Sequence, residues 1–292
     1  MTSERKPTRR PLAMFIGSML IFGTIGIFRR YCPLPSAFLA FARGILGGLF
    51  LLVFVRLSGR RAHEKLPRRT FLGLIATGAM IGFNWMLLFE AYNHTTVAVA
   101  TLCYYMQPTI VLLLSPLLFR ERLTIKKGVC ALVSIIGMVL VSSVVGDGSA
   151  RGGDAAGILL GLGAAALYSA VVILNKKLPE GDAFERTTSQ LLSAGTVMIP
   201  YLLLTDGFAG ISFDASGVLL LLVIGILHTG VAYALYFGSM SGLSVQTIAI
   251  FSYIDPVSAL LFSGLLLGEA LSPLSLLGAV LIIGSALVSQ LD

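Results

Sequence analysis

The chain has 292 residues, 56% of them hydrophobic and only 12% charged, with a net charge of +7. A soluble domain carries about 25% charged residues, and here the apolar residues fall in long runs, so a soluble fold is excluded and an integral membrane protein is indicated. The positive balance does not point to nucleic acid, because the basic residues sit in short loops between apolar runs, where they set membrane orientation.

In chain order, Arg5, Lys6, Arg9 and Arg10 precede the first apolar run. No small-residue cleavage site follows, so this is read as an uncleaved first span rather than a signal peptide. The apolar segments cover about 12–29, 36–57, 70–90, 95–119, 125–145, 155–175, 187–205, 215–238, 244–267 and 272–290. Each is near the ~20 residues that a helix needs to cross a bilayer. None alternates with the period of two that marks a membrane β-barrel. The expectation is an all-α protein with ten transmembrane helices. Seventeen Lys and Arg residues fall in the N-terminal tail and the even-numbered loops, and three (Arg29, Arg30 and Arg151) in the odd-numbered ones. Positive loops stay inside, so both termini are expected to be cytoplasmic.

One stretch occurs twice. Tyr104-Tyr-Met-Gln-Pro-Thr-Ile-Val-Leu-Leu-Leu-Ser-Pro-Leu-Leu-Phe-Arg-Glu121 returns as Ser252-Tyr-Ile-Asp-Pro-Val-Ser-Ala-Leu-Leu-Phe-Ser-Gly-Leu-Leu-Leu-Gly-Glu269, an offset of 148. Tyr105 then meets Tyr253, Pro108 meets Pro256, and Trp85 meets Tyr233. Residues 1–148 and 149–292 therefore read as two copies of a five-helix unit, joined by the glycine-rich linker 146–154. Five is odd, so the copies cross the membrane in opposite senses. Inverted repeats are the architecture of secondary transporters. The small-residue pairs Gly44/Gly48, Gly78/Gly82, Gly157/Gly161 and Gly264/Gly268 are read as close helix packing.

The two motif-bearing segments, Pro108–Ser143 with Leu-Leu-Phe-Arg-Glu-Arg-Leu-Thr and Pro256–Gln290 with Leu-Leu-Leu-Gly-Glu-Ala-Leu-Ser, resemble the EamA repeats of the drug/metabolite transporter superfamily. Within it the chain looks most like the bacterial exporters of aromatic and other apolar amino acids, the YddG type. The resemblance implies a multi-pass protein of the bacterial inner membrane that exports small metabolites. Other solutes, such as drugs or nucleotide-sugars, are the alternatives within transport, and a membrane-embedded lipid enzyme is the alternative outside it.

Charges within spans are costly and therefore candidates for function. Three qualify: Arg43, Glu90 and Asp255. Asp255-Pro256 lies near mid-membrane, with Gln107-Pro108 as its mate. Asp is a good N-cap and Pro a good first helical residue, so the pair marks either the start of a half-helix lining a site or a plain proline kink. Pro108 and Pro256 are the expected hinges. Arg43 either holds a substrate carboxylate in a two-pronged fork or pairs with Asp255 or Glu90. Glu90 lies near the outer end of its span and can reach water. Glu121 and Glu269 sit at loop edges, where stabilisation of the following helix ends is expected.

Aromatic residues give the second signal. Tyr233, Tyr236 and Phe237 share a helix face by their i, i+3, i+4 spacing. With Asn84, Trp85, Tyr105, Tyr168 and Tyr253 they would line a cavity suited to flat apolar or cationic solutes. Tyr31, Tyr92 and Tyr201, near span ends, read as an interfacial belt. The substrate-binding candidates are thus Arg43, Asn84, Trp85, Tyr105, Gln107, Tyr168, Tyr233, Tyr236, Tyr253 and Asp255. His63, His94 and His228 are scattered, and Cys32, Cys103 and Cys130 have no paired spacing, so neither a metal site nor a disulfide is expected. His228 reads as a hydrogen-bonded structural residue or a proton carrier. No phosphate-binding loop and no nucleophile–base set occurs, so no cofactor and no catalysis are expected. The expected partners are a small-molecule substrate and the lipid bilayer.

Overall fold

The computed structural model describes residues 9–59, 67–119, 124–141, 152–178, 182–205, 207–209, 211, 213–240, 242–243, 247–248, 251–269 and 272–290. The helices are α1 (Arg9–Tyr31), α2 (Ser36–Leu57), α3 (Arg68–His94), α4 (Val97–Tyr104), α5 (Gln107–Phe119), α6 (Ile125–Val141), α7 (Gly152–Lys177), α8 (Ala183–Leu204), α9 (Ala215–Leu222), a π-helical segment (Val223–Val231), α10 (Ala232–Met240), α11 (Ile254–Leu267) and α12 (Pro273–Gln290). Among the described residues there is no strand. Among the described residues, six helical stretches are long and apolar enough to cross a membrane: Arg9–Tyr31, Ser36–Leu57, Arg68–His94, Val97–Leu114, Ala155–Lys177 and Ala215–Met240. The other helices are shorter or more polar. α8 opens with Glu185, Arg186, Thr187, Thr188 and Gln190, buries Thr187, Thr188 and Gln190, and packs on α2 and α3. An all-helical membrane protein of about ten spans follows, since only helices or closed barrels satisfy the backbone in lipid.

Helix starts are set by local chemistry. Thr96 accepts the Val99 N–H at 3.1 Å at the head of α4, and Asp182 accepts the Phe184 and Glu185 N–H groups at 2.9 and 3.0 Å at the head of α8. Asp214 does the same for α9. Its bonds from the Ser216 hydroxyl and the Gly217 N–H favour the ionised form and hold its carboxyl below the usual carboxylate range.

The packing pairs repeat when the two halves are exchanged. α3 packs on α7, and the α9–α10 stretch packs on α1. α3 packs on α8, and the π segment packs on α2. α1 packs on α11, and α7 packs on α4 and α5. α2 with α8, and α6 with α12, are self-paired.

Glycine fixes the closest crossings. A Cβ at Gly44 would stand 2.7 Å from the Gly195 nitrogen and 2.9 Å from the Leu191 oxygen, and one at Gly82 would stand 2.8 Å from the Ala194 oxygen. Gly157 and Gly161 lie against Thr95 and Cys103 in the same way. Gly264/Gly268 departs from the packing expectation. A Cβ at Gly264 meets only the Glu269 oxygen at 3.9 Å, and Gly268 has φ of 66° and ends α11 in the left-handed conformation. Gly268 serves a helix C-cap, where a residue without Cβ is favoured, and Gly264 stands in nearly open space within α11 rather than at a helix crossing.

The expectations for His63, Glu121 and the repeat boundary at 148 fall outside the described residues. Replacing Gly195 by Leu should force α2 and α8 apart and lose the monodisperse peak in size-exclusion chromatography, because overpacking costs ~1–3 kcal/mol or more. Gly264→Ala should change thermal stability by less than about 0.5 kcal/mol.

Candidate functional site

A cavity of about 500 Å³ lies in the middle of the bundle, walled by α1, α2, α3, α4–α5, α7, α10 and α11. Arg43, Trp85, Tyr105, Gln107, Tyr168, Tyr233, Tyr236, Tyr253 and Asp255 all line it, as does Pro108. Asn84 does not. Its side chain is fully buried in the α3–α7 contact, where Nδ2 donates to the Ala164 carbonyl at 2.6 Å. One residue from Trp85, it is turned by about 100° around the helix onto the face that meets α7, which explains why adjacency misleads.

Arg43 is 4% exposed. Its Nε donates to the Thr229 hydroxyl at 3.0 Å, and its guanidinium carbon lies 3.9 Å from the Trp85 ring centroid and 5.3 Å from that of Phe89. Thr229 reaches it because the chain is π-helical there. The Thr229 hydroxyl donates five residues back, to the Ile224 carbonyl, at 3.0 Å. Gly47 leaves room for the Thr229 side chain against α2. The expected alternative, pairing with Asp255 or Glu90, is not observed. Glu90 instead accepts from Ser36 at 2.6 Å and from Asn93 at 3.0 Å, with His94 at 3.3 Å. The terminal nitrogens of Arg43 have no acceptor among the described residues and face the cavity.

The repeat mate of Arg43 is Gln190, which donates to the Thr77 hydroxyl at 2.7 Å on α3. So the second helix of each half bonds a threonine on the third helix of the other.

Asp255 does not cap a half-helix. α11 begins at Ile254, after Tyr253, and the Asp255 Oδ2 accepts the Tyr105 hydroxyl at 2.5 Å. The helices are nevertheless interrupted at closely corresponding points, at 105–106 and at 252–253, two to four residues before Pro108 and Pro256. Pro256 is buried outside the cavity wall. Proline removes a backbone donor and crowds the carbonyl four residues back. The Gln107 backbone carbonyl accepts from the Ser169 hydroxyl at 3.1 Å, and the residue lines the cavity.

The remaining wall is aromatic. Tyr233 and Phe237 stack at 5.9 Å and 12°, Phe22 meets Tyr233 edge-on at 5.2 Å, and Tyr104 lies 5.8 Å from both Tyr105 and Tyr168. Tyr104, Phe22, Met19, Thr101 and Met240 also line the cavity and are not among the candidates read from sequence, and Tyr92 joins them. Tyr104 neighbours Tyr105 in the repeated motif, and the helix break turns both inward. Tyr92 corrects the belt assignment. It is 3% exposed, because Gly26 lets α1 approach its ring. Tyr31, 63% exposed, fits the belt, and Tyr201 packs on Phe83 at 5.6 Å away from the cavity. His228 is fully buried outside the cavity, between the Thr24 hydroxyl at 3.0 Å and the Val223 carbonyl at 3.2 Å. Among the described residues no His, Cys, Asp and Glu cluster could hold a metal ion.

The sequence model of the EamA-like transporter family matches residues 9–143 and again residues 155–290. The chain belongs to that family. It is accordingly a multi-pass membrane transporter of the drug/metabolite transporter superfamily and not an enzyme. A Bacillus subtilis relative, "Uncharacterized transporter YxxF", is 31% identical over 280 residues, covering 96% of this chain and 89% of its own. "Protein PecM" of Dickeya dadantii is 29% identical over 223 residues, 74% of this chain and 73% of its own. "Uncharacterized inner membrane transporter YicL" of Salmonella typhimurium is 24% identical over 299 residues, 98% and 96%. A crystal structure 20% identical in sequence superposes with a TM-score of 0.69 over 96% of this EamA chain and 98% of the other, and shows the shared fold.

Asn84→Ala should lower thermal stability by about 1 kcal/mol, the usual worth of one hydrogen bond, and leave the transport KM unchanged, since the side chain is outside the cavity. Trp85→Ala, one position on, should raise the KM.

Proposed function

We propose that this EamA-type protein exports a zwitterionic amino acid with an aromatic or other apolar side chain, by alternating access about the central cavity. One observation carries the reading. A buried guanidinium with free terminal nitrogens, Arg43, and a carboxylate, Asp255, share one tyrosine-rich cavity. Tyr104 and Tyr233 are within electrostatic reach of both charges. Arg43 receives the substrate carboxylate through a two-pronged hydrogen bond. Asp255 takes the ammonium group, exchanging the Tyr105 hydroxyl for it. Phe22, Tyr168, Tyr233 and Phe237 stack on the apolar side chain.

The reading includes two inverted five-helix repeats, residues 1–148 and 149–292. The twofold family match and the exchange symmetry of the packing pairs support it. It also places both termini on the cytoplasmic side of a bacterial inner membrane, supported by the distribution of loop arginines and lysines. Rocking of the two halves then exposes the cavity to either side.

Uptake by proteoliposomes of a panel of labelled amino acids, with and without a pH gradient, tests the substrate class. An apolar or aromatic amino acid should be transported and its amide, which lacks the carboxylate, should not. Arg43→Gln should raise the amino-acid KM about 10- to 100-fold, the equivalent of losing a charged hydrogen bond worth ~1.5–3 kcal/mol. Equal transport of the amide would shift the assignment to cationic drugs or other solutes that use Asp255 and the aromatic wall alone. Asp255→Asn should abolish transport while the protein stays monodisperse in detergent.

A further inference from the structure

At the end of the bundle where α1 finishes, one ion pair joins residues 239 positions apart. Arg30, in the last turn of α1, donates through Nη2 to the Glu269 Oε1 at 2.8 Å, just beyond α11. Its Nη1 donates to the Tyr92 carbonyl near the end of α3. The other oxygen of Glu269 accepts the N–H of Val97, the first residue of α4, at 2.8 Å, and the Ser263 hydroxyl at 2.5 Å. Glu269 therefore does stabilise a helix start, but that of α4 and not of the helix that follows it. Two side chains thus tie the α11–α12 corner and α1 to the α3–α4 corner. Tyr92 and Thr101, on either side of that corner, line the cavity, and their hydroxyls meet at 3.4 Å.

A second polar cluster lies beside this one and differs in kind. Arg29 bonds the Cys32 carbonyl, Ser36 and Asn93 at 2.9, 2.9 and 3.1 Å, and Glu90 joins Ser36, Asn93 and His94. Every one of these residues lies between 29 and 94, so the cluster holds the first half together. The Arg30–Glu269 pair bridges the two halves.

We propose that Arg30 and Glu269 are the external gate latch of the transporter: while the pair is made, the cavity is shut towards the outside, and outward release of substrate requires it to part. The inference rests on the transport and orientation readings above. The carboxylate is held by three donors at once and its side chain is 9% exposed, whereas that of Arg30 is 37% exposed. Water can therefore reach the arginine and compete for it, which suits a contact that must break and reform in each cycle. Withdrawal of Glu269 from Val97 frees the α3–α4 corner, and Tyr92 moves with it out of the cavity wall.

The test uses the full chain with Cys32, Cys103 and Cys130 replaced by Ser and a reporter, Leu88→Cys, in the cavity wall. A membrane-impermeant maleimide is applied to right-side-out and to inside-out vesicles. Glu269→Gln keeps acceptors for Val97 and Ser263 but removes the charge, and Arg30→Gln removes the other partner. Each should raise the labelling rate in right-side-out vesicles about fivefold, the shift expected when an ion pair of this exposure is lost. Arg30→Gln carries the test if Glu269→Gln proves not to be monodisperse. An unchanged rate in both vesicle preparations would overturn the latch, as would an equal rise in Asn93→Ala, which loosens only the first-half cluster. A rise confined to inside-out vesicles would overturn its external placement and with it the orientation drawn from the loop charges, while transport by the proteoliposomes would be untouched.

Discussion

The structure depends on keeping a guanidinium charged in the middle of a membrane bundle. Moving a cation out of water costs several kcal/mol unless partners replace the hydration. Among the described residues Arg43 has no carboxylate partner. It lies instead against the face of Trp85, with Phe89 beyond and Thr229 on its Nε. A desolvated cation–π contact contributes about 2 kcal/mol, and a charged hydrogen bond about 1.5–3 kcal/mol. Neither engages the terminal nitrogens, which leaves their compensation to whatever fills the cavity. Much else follows from this placement. The glycines of α2 let α8 and the π segment close on it, and the wide turn at 223–231 sets the threonine in reach.

The interrupted helices obey the same constraint on the backbone. Irregular backbone at membrane depth is tolerated where it is buried in protein or lines a cavity. Both breaks, at 105–106 and 252–253, meet that condition, and the groups they free are taken up locally. The Met106 N–H reaches the Cys103 carbonyl at 3.1 Å, the Asp255 N–H reaches Ser252 at 3.3 Å, and Ser169 covers Gln107. Because the breaks face each other across the cavity, Tyr105 of the first half can bond Asp255 of the second. Their lining residues are not equivalent under exchange of the halves. Arg43 answers to Gln190, and Asp255 to Gln107, so a symmetric scaffold encloses an asymmetric, charged site.

Polar contacts near one end of the bundle divide by what they join. Those within residues 29–94 fasten one half internally, and the Arg30–Glu269 contact crosses between halves. Under the rocking proposed above, two halves would need rigid interiors and breakable contacts across the seam, and the distribution of bonds fits that proposal.

The sequence by itself determined the membrane class, the approximate spans, the two motif-bearing copies and most of the cavity wall. It could do so because lipid imposes a length and an apolar composition on each helix, and because charges and prolines within such a helix stand out against that background. Nine of the ten residues read as substrate-binding, all except Asn84, line one cavity. Tertiary structure alone decided the partners. Arg43 chose an indole face and a threonine over a carboxylate, because a π turn absent from any propensity set Thr229 beside it. Tyr92 is a wall residue and not a belt residue, because a glycine on a distant helix admits it. Asp255 bonds Tyr105 across the halves in place of capping its own helix. Glu269 caps α4 from across the seam, and Gly268 serves a helix end. In each case the deciding neighbour lies far away in the chain, and helical periodicity reports which face a residue occupies but not what that face will meet.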